Sequence, residues 1–157
     1  MERTISGYHQ DDLGDWVAEL CCGHNQHLRH RPPFQVRFWV LDPVGRAEHE
    51  GSPIDCPLCD RSEMPDGLTP IGTSNVWDEV TMPAGLRNAH RVALGRWGLI
   101  KVDEGCLRYN AQTTPPMQVV LTTGMTQSIP PAVLHGVEPV GHVKFSIEWY
   151  ATTIEGS

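Results

Sequence analysis

Two groups of thiol and imidazole side chains stand in the first third of the chain. Cys22-Gly23-His24 opens the first group, which continues to His27 and His30, and Cys56-Pro57-Leu58-Cys59 forms the second. Thiolate and imidazole are the ligands that tetrahedral zinc prefers, and a Cys-x-x-Cys turn directs two thiolates to one point. The spacing therefore predicts a zinc site rather than a set of disulfides.

The four predicted zinc ligands are Cys22, His24, Cys56 and Cys59. The side chains at 22 and 24 share one face if the strand stays extended through Gly23, whereas Cys21 points to the opposite face. His27 is the reserve fourth ligand, because it reaches the site only if the chain turns back. Four protein ligands close the coordination sphere, and a segment of about sixty residues has a small core, so we expect the zinc to be structural. The alternative is a pair of buried thiols beside a solvated histidine loop.

The elements that position these groups are predicted to be β-strands. Residues 5–10 and 15–22 flank Asp11-Asp12-Leu13-Gly14, which is typical of a hairpin turn. Residues 34–41 are predicted as a further strand, and residues 63–74, rich in turn-forming residues, as a linker. From residue 75 onward short β-like runs alternate with turns, at the spacing of a sandwich or barrel.

A second set of candidate ligands lies in this later region. Gly124, Pro130 and His135 stand at the spacing of the second cupin motif, in which the histidine binds metal. His90 and Glu148 lie in other predicted strands, so a triad of His90, His135 and Glu148 could hold a divalent metal with open positions. The equally weighted alternative is that the two histidines are hydrogen-bonded residues of the core or rim and that Glu148 is solvated.

Both halves of the chain resemble known families. Residues 3–60 resemble a family of small uncharacterised bacterial domains with zinc-finger character, which implies no activity. That resemblance is carried by residues 5–11, 14–20, Cys22-Gly23-His24, Gln26-His27, residues 29–33 and Cys56-x-x-Cys59. Residues 82–151 resemble the cupin-type domain of YeaR-like proteins and of the N-terminus of TehB-type tellurite-resistance proteins. The matching residues are Pro83-x-Gly85-Leu86, His90, Gly95-x-Trp97-Gly98, Val102-x-Glu104-Gly105-x-Leu107, residues 129–131, His135-x-Val137-Glu138-Pro139 and Phe145-x-Ile147-Glu148-Trp149-Tyr150.

The predicted fold is mainly β, with a zinc-stapled β module at residues 1–62, a linker at 63–74 and a cupin-like double-stranded β-helix barrel at 75–157. The resemblance implies a metal-binding protein, related to stress or tellurite resistance, whose barrel mouth binds a small molecule or oxyanion. His90, His135, Glu148 and Trp97 are the candidates for lining that mouth. The alternative is a metal-dependent cupin-type oxidoreductase or isomerase with a second divalent metal in the barrel. A methyltransferase is not expected, because the chain has no Gly-rich nucleotide loop after a strand.

Charge and hydropathy limit the classes of partner and the location expected for this chain. The 157 residues carry a net charge of −7, so nucleic acid is not expected as a partner, although residues 27–31 are locally cationic. Residues 1–20 lack the apolar segment of a secretory signal, and no window is apolar enough to span a membrane, so a cytoplasmic location is expected. A homodimer is expected only by analogy with barrels that pair through an edge strand.

Overall fold

The computed structural model describes residues 1–152 and is mainly β, as predicted, with two sheets. The first sheet contains β1 (Glu2–Gln10), β2 (Trp16–Leu20), β3 (Asn25–His27) and β4 (Pro53–Asp55), in the order β3-β2-β1-β4. The second contains β5 (Thr69–Thr73), β6 (Trp77–Asp78), β7 (Arg96–Ala111), β8 (Met117–Thr122), β9 (Thr126–Ile129) and β10 (His135–Ala151). Two short helices, α1 (Pro43–His49) and α2 (Pro57–Asp60), belong to the first unit. Within residues 1–152 no helix combines the length and the apolar character needed to cross a bilayer.

The predicted hairpin is confirmed as β1 and β2. The carboxylate of Asp11 accepts hydrogen bonds from the backbone amides of Leu13 and Asp15, and Gly14 takes a left-handed φ of 81°. These are the local interactions that aspartate and glycine supply in tight turns. The hairpin brings the end of β2, and with it Cys22, back beside the start of the chain.

The strand predicted at residues 34–41 is wrong. The chain instead makes a turn and then a 3-10 helix over Phe38–Leu41, followed directly by α1. The side chain of Asp42 caps α1 by accepting from the amides of Val44 and Gly45, and Pro43 occupies the first turn. Capping and proline therefore override the β-like run of apolar residues, of which only Val40 is buried.

The second unit consists of two long antiparallel strands, β7 and β10, with shorter strands beside them. β9 pairs with residues 98–101 of β7 and β8 with residues 106–111. Between these stretches Gly105 has φ 83°, and a Cβ there would lie 1.9 Å from the carbonyl oxygen of His142. The sequence predicts separate short runs here, but glycine and register shifts in β10 let the strands bend without ending. The resulting sheet is curled.

The inside of the curled sheet is packed with side chains. Among residues 1–152, fourteen form its hydrophobic core: Met82, Val92, Ile100, Val102, Leu107, Tyr109, Ala111, Leu121, Ile129, Val133, Val137, Val143, Phe145 and Ile147. A second cluster serves the first unit, yet it includes Trp97, which comes from β7 of the second. The two units therefore share part of one core.

The segment predicted as a linker differs from expectation in part. Residues 69–73 form strand β5, which pairs with the end of β10 from Glu148 to Ala151. They belong to the second sheet rather than to a free connection, because their backbone completes its edge. The division into units at residues 62 and 75 otherwise stays a prediction.

Candidate metal centre

Four buried side chains converge between the first hairpin and α2. One ligand atom from each of Cys22, His24, Cys56 and Cys59 lies within 4.8 Å of all the others, and all four residues are buried. These are the four residues that the spacing predicts as zinc ligands. Among residues 1–152 no other group of three or more histidine, cysteine or carboxylate side chains is arranged to hold a metal.

The distances within this cluster match a tetrahedral ion. The Sγ atoms of Cys22 and Cys56 are 3.9 Å apart, and Nδ1 of His24 lies 3.4, 3.4 and 3.5 Å from the sulfurs of Cys22, Cys56 and Cys59. Zinc–sulfur bonds of about 2.3 Å and zinc–nitrogen bonds of about 2.0 Å at tetrahedral angles give about 3.8 Å between sulfurs and about 3.5 Å between sulfur and nitrogen. The donor set therefore fits a zinc-sized ion in both chemistry and spacing.

A tight turn after β2 presents the first two ligands. Gly23, with φ 91°, lies between Cys22 and His24, and its amide donates to the carbonyl of Leu20. Nε2 of His24 lies 2.7 Å from the carbonyl oxygen of Glu63. Because a carbonyl only accepts, Nε2 carries the proton and Nδ1 is left with a lone pair for the metal.

Helix α2 presents the other two ligands. Cys56 is the residue before its first turn, Pro57 starts the helix, and Cys59 lies one turn later on the same side. The helix ends at once, because Ser62 adopts a left-handed φ of 53° and the amide of Glu63 returns to the carbonyl of Leu58. That return places the carbonyl of Glu63 against His24, so the second half-site also orients the first.

The cluster favours a negative sulfur at Cys56 and a positive partner beside it, whereas hydrogen bonds to Cys56 and Cys59, with burial, raise the pKa of Cys22. Hydrogen bonds from Cys22 and Cys59 hold the pKa of Cys56 far below that of a free thiol. Burial acts to lower the pKa of His24, but hydrogen bonds to Cys56 and Cys59 raise it to about 9. A site that attracts a proton to this imidazole also attracts a divalent cation, which competes with the proton for the same lone pairs.

Arg3 is a buried cation next to the cluster. Its side chain is 6% exposed; Nε donates to Sγ of Cys59 at 3.3 Å and Nη2 donates to the carbonyl of Pro131 at 2.7 Å. No carboxylate within residues 1–152 forms an ion pair with it. Three thiolates with one divalent ion would carry a net charge of −1, so Arg3 would neutralise a filled site, and it links the cluster to the second unit.

Trp97 is the second link between the cluster and the curled sheet. Its Nε1 donates to the carbonyl of Cys22 at 2.7 Å, and its ring meets that of His24 edge-on, with centroids 5.4 Å apart. The prediction that Trp97 lines the barrel mouth is therefore wrong: it is fully buried against the ligands. Arg3 is absent from the predicted site, although a charged residue sharing a strand face with Ile5 is a sequence signal for a buried partner.

His27, the reserve ligand, does not join the cluster. Its ring is exposed, and Nε2 lies 3.2 Å from a carboxylate oxygen of Asp11 in the hairpin turn. β3 continues straight from the ligand turn and carries the imidazole away. This alternative for the fourth ligand is corrected in favour of His24.

The second predicted site is brought together only in part. His90 and His135 form a β-bridge, with ring centroids 4.1 Å apart, and their Nδ1 atoms donate to the carbonyls of Asn88 and Val133. Burial, together with the charge of His90, lowers the pKa of His135 to about 4, so this imidazole is neutral near pH 7. The pair is therefore two hydrogen-bonded imidazoles at the edge of the core.

Glu148 does not reach these histidines, so the predicted triad is corrected. His135 pairs with Ala111 at one end of β7, whereas Glu148 pairs with Leu99 near the other. The carboxylate of Glu148 instead accepts from Lys101 Nζ at 2.6 Å and from the hydroxyl of Tyr150 at 2.7 Å. Residues 145–147 are all buried, so the strict alternation of buried and exposed residues is lost just before Glu148.

Beside His135 the surface opens into a groove of about 720 Å³. Its lining includes Arg87, Asn110, Gln112, Met117 and Leu134. The groove lies at the end of the curled sheet where β7, β8 and β10 meet. Of the four residues predicted to line the barrel mouth, His135 lines this groove, and His90, Glu148 and Trp97 do not. Amide, guanidinium and apolar groups are all present, as in sites for small polar molecules.

Two segments of the chain match different family models. Residues 6–63 match the family described as protein of unknown function (DUF3565), and residues 73–147 match the TehB-like domain. The chain joins these two segments. All four side chains of the metal cluster fall in the first, and both Trp97 and His135 fall in the second. No curated protein is significantly similar to the chain.

Solved structures resemble about half of the chain. A protein from E. coli strain K12 is 19% identical, with a TM-score of 0.52, covering 58% of this chain and 97% of its own. TehB from Haemophilus influenzae is 19% identical, with a TM-score of 0.49, and the match covers 55% of this chain but 32% of TehB. Hydroxypropylphosphonic acid epoxidase from S. wedmorenis is 19% identical, with a TM-score of 0.37, covering 46% of this chain and 40% of the epoxidase. At these identities the likeness to the E. coli protein concerns the fold.

Proposed function

We propose that the chain is a zinc protein whose Cys₃His centre fastens the N-terminal β unit to the curled sheet. The observation that carries this proposal is the convergence of four buried ligand atoms within 4.8 Å of one another. Three sulfurs and one imidazole nitrogen form a set typical of structural zinc. With four protein ligands no position is left for water or substrate, so the ion serves stability rather than catalysis.

The surroundings of the cluster support a fastening role. Trp97 and Pro131 belong to the second unit. Trp97 donates a hydrogen bond to the carbonyl of Cys22, and the carbonyl of Pro131 accepts one from Arg3. Unfolding of the ligand turn would therefore break contacts in both units. When bound, the ion supplies rigid tetrahedral geometry, and the chain's own residues supply the link.

Elemental analysis of the purified chain tests this proposal directly. We expect one zinc per wild-type chain, and less than a tenth of that in Cys56→Ser, because a hydroxyl replaces a thiolate ligand. Cys21→Ser is the matched control, since Cys21 adjoins a ligand but lies outside the cluster. Cobalt(II) substitution should give the intense visible absorption of a tetrahedral thiolate site. Equal zinc in wild type and Cys56→Ser would contradict the ligand set.

We further propose that the groove beside His135 binds a small molecule or oxyanion. Its volume of about 720 Å³ lies within the range of ordinary ligand sites. Arg87 offers a cation at the rim, and the side-chain amides of Asn110 and Gln112 offer donors. A metal-dependent reaction would need a third ligand beside the two histidines, which Glu148 does not supply, so binding is favoured over catalysis. The TehB-like match makes tellurite a reasonable first ligand to test.

Titration with oxyanions tests the groove. We expect tellurite, selenite or phosphate to shift the amide resonances of Asn110, Gln112 and Gly136, and Arg87→Gln to weaken the binding at least about tenfold by removing a charge-assisted hydrogen bond. Arg91→Gln is the control, because Arg91 is exposed nearby but does not line the groove. Shifts elsewhere, or equal binding by both variants, would remove the groove as the site while leaving the zinc proposal intact.

A further inference from the structure

A loop on the N-terminal unit exposes an unusual amount of apolar surface. Residues 31–36 are all exposed, and the side chain of Phe34 at the tip is 93% exposed. The apolar exposure continues through Val36, Phe38 and Leu41, which are 56%, 66% and 62% exposed. Single exposed apolar residues are normal, but several close together in the chain mark an interaction site. We refer to residues 29–41 as the Arg/Phe loop.

The same loop carries positive charge without local compensation. It contains Arg29, Arg31 and Arg37, and no acidic residue occurs between Glu19 and Asp42. In the described part of the chain none of these three arginines forms an ion pair. In a chain of net charge −7, with 19 acidic residues, three arginines remain available to an external anionic group.

The loop is also held in one shape. Arg31 and Gln35 exchange backbone hydrogen bonds of 2.7 and 3.0 Å across the tip. The amide of Arg37 donates to Nδ1 of His30 at 2.8 Å, and the ring of His30 packs on Phe38 with centroids 4.4 Å apart. The exposed side chains therefore stand on an ordered base, which reduces the entropy lost when a partner binds.

We propose that the Arg/Phe loop is a docking surface for an acidic protein segment that also carries large apolar side chains. Aromatic residues and arginine, without lysine, are the composition of protein-binding hot spots. Val36 and Leu41 suit a protein partner better than stacked bases, because aliphatic side chains offer no ring to stack. A nucleic acid or an anionic bilayer would extend past the loop and meet the acidic remainder of the chain, whereas a short peptide segment contacts the loop alone.

Selection from a phage-displayed library of random peptides tests this surface. The zinc-loaded full chain is the bait, and the double variant Arg31→Glu/Phe34→Ser removes peptides that bind elsewhere. Both positions are exposed, so the fold is retained, which amide spectra and zinc content verify. We expect enriched peptides to combine aspartate or glutamate with phenylalanine, tryptophan or leucine. Failure to enrich any peptide, or enrichment of peptides without acidic residues, would overturn the proposal.

Affinity measurements on the enriched sequence decide its binding site. A synthetic, fluorescein-labelled peptide should bind at least about tenfold more weakly to Arg31→Glu and to Phe34→Ala. Arg91→Glu and Leu13→Ala are matched controls, because both residues are exposed and lie outside the loop; Leu13 is 87% exposed. Labelled oligo(dT) and phosphatidylglycerol vesicles are titrated in parallel. If the wild type bound the oligonucleotide or the vesicles tightly and Phe34→Ala did not, the partner of the loop would be a nucleic acid or a membrane. That result would overturn the proposal.

Discussion

Cys56→Ser is expected to unfold the N-terminal unit while the curled sheet stays folded. Loss of a ligand that binds only the native state removes about RT ln([zinc]/Kd), which is about 4 kcal/mol when free zinc exceeds the dissociation constant a thousandfold. Structural zinc sites reach larger values in small domains. We therefore expect the free energy of unfolding of this unit to fall by at least about 4 kcal/mol.

The composition of the two hydrophobic cores explains why Cys56→Ser should unfold the first unit and leave the curled sheet folded. The core of the first unit has nine buried residues, and three of them are the cysteines of the cluster. The hydrophobic core of the curled sheet, within the part of the chain that the structure describes, includes no cysteine. Without an ion the two half-sites lose the bonds that would hold them together, and the small core cannot compensate for that loss.

Amide spectra measure this outcome residue by residue. In Cys56→Ser, or in the wild type with a chelator, resonances of residues 2–60 should collapse toward random-coil positions while those of residues 98–150 stay dispersed. Cys21→Ser, which changes a neighbouring non-ligand thiol, should keep both sets dispersed. If Cys56→Ser unfolded at the same temperature as Cys21→Ser, the metal would contribute little to stability.

The cluster of three cysteines and one histidine could be predicted from sequence because a tetrahedral metal site requires a simple, recurrent geometry. Two short half-sites, Cys22 to His24 and Cys56 to Cys59, each bring two donors together by local structure alone. The fold brings the two half-sites together, and a tetrahedral ion would join them whatever the path of the chain between them. The hairpin was predictable for a similar reason, since Asp11 and Gly14 form the turn through their own backbone contacts.

The sequence-based predictions are wrong where the role of a residue depends on contacts with residues far from it in the sequence. Trp97 looks like an ordinary strand residue, and only the docking of the two units places it against Cys22. Glu148 is predicted to join the two histidines, but the register of β10, which has shifts, places Glu148 opposite Leu99 and His135 opposite Ala111. In residues 34–41 a β-like apolar pattern reflects exposed side chains of a loop, because Asp42 and Pro43 start a helix next to it.

Arg3→Met is the second substitution from which we expect a large effect. Methionine keeps much of the length and apolar volume of the side chain but removes the charge and both hydrogen bonds. The filled cluster would then retain its net negative charge in a buried place without a counter-ion, and the carbonyl of Pro131 would lose its donor. Removing one partner from a buried charge pair is destabilising by about 3–5 kcal/mol.

The effect should appear in zinc affinity as well as in stability. Groups that hydrogen-bond to metal ligands change affinity by about ten- to a hundredfold when they are removed. Competition with a chromophoric chelator should therefore show zinc held at least about tenfold more weakly by Arg3→Met. Arg3→Lys should give an intermediate loss, because an ammonium keeps the charge but cannot span Cys59 and Pro131 with a planar fork.

Arg61→Met separates this role from a general effect of losing an arginine. Arg61 lies close to the cluster in sequence but is exposed and pairs only with Glu63, so its loss should change stability by less than about 1 kcal/mol. The amide of Ala132, next to Pro131, reports the link to the second unit and should shift in Arg3→Met but not in Arg61→Met. If Arg3→Met destabilised the chain without weakening zinc, Arg3 would act through packing alone. The neutralising role follows only if affinity and the Ala132 signal change together.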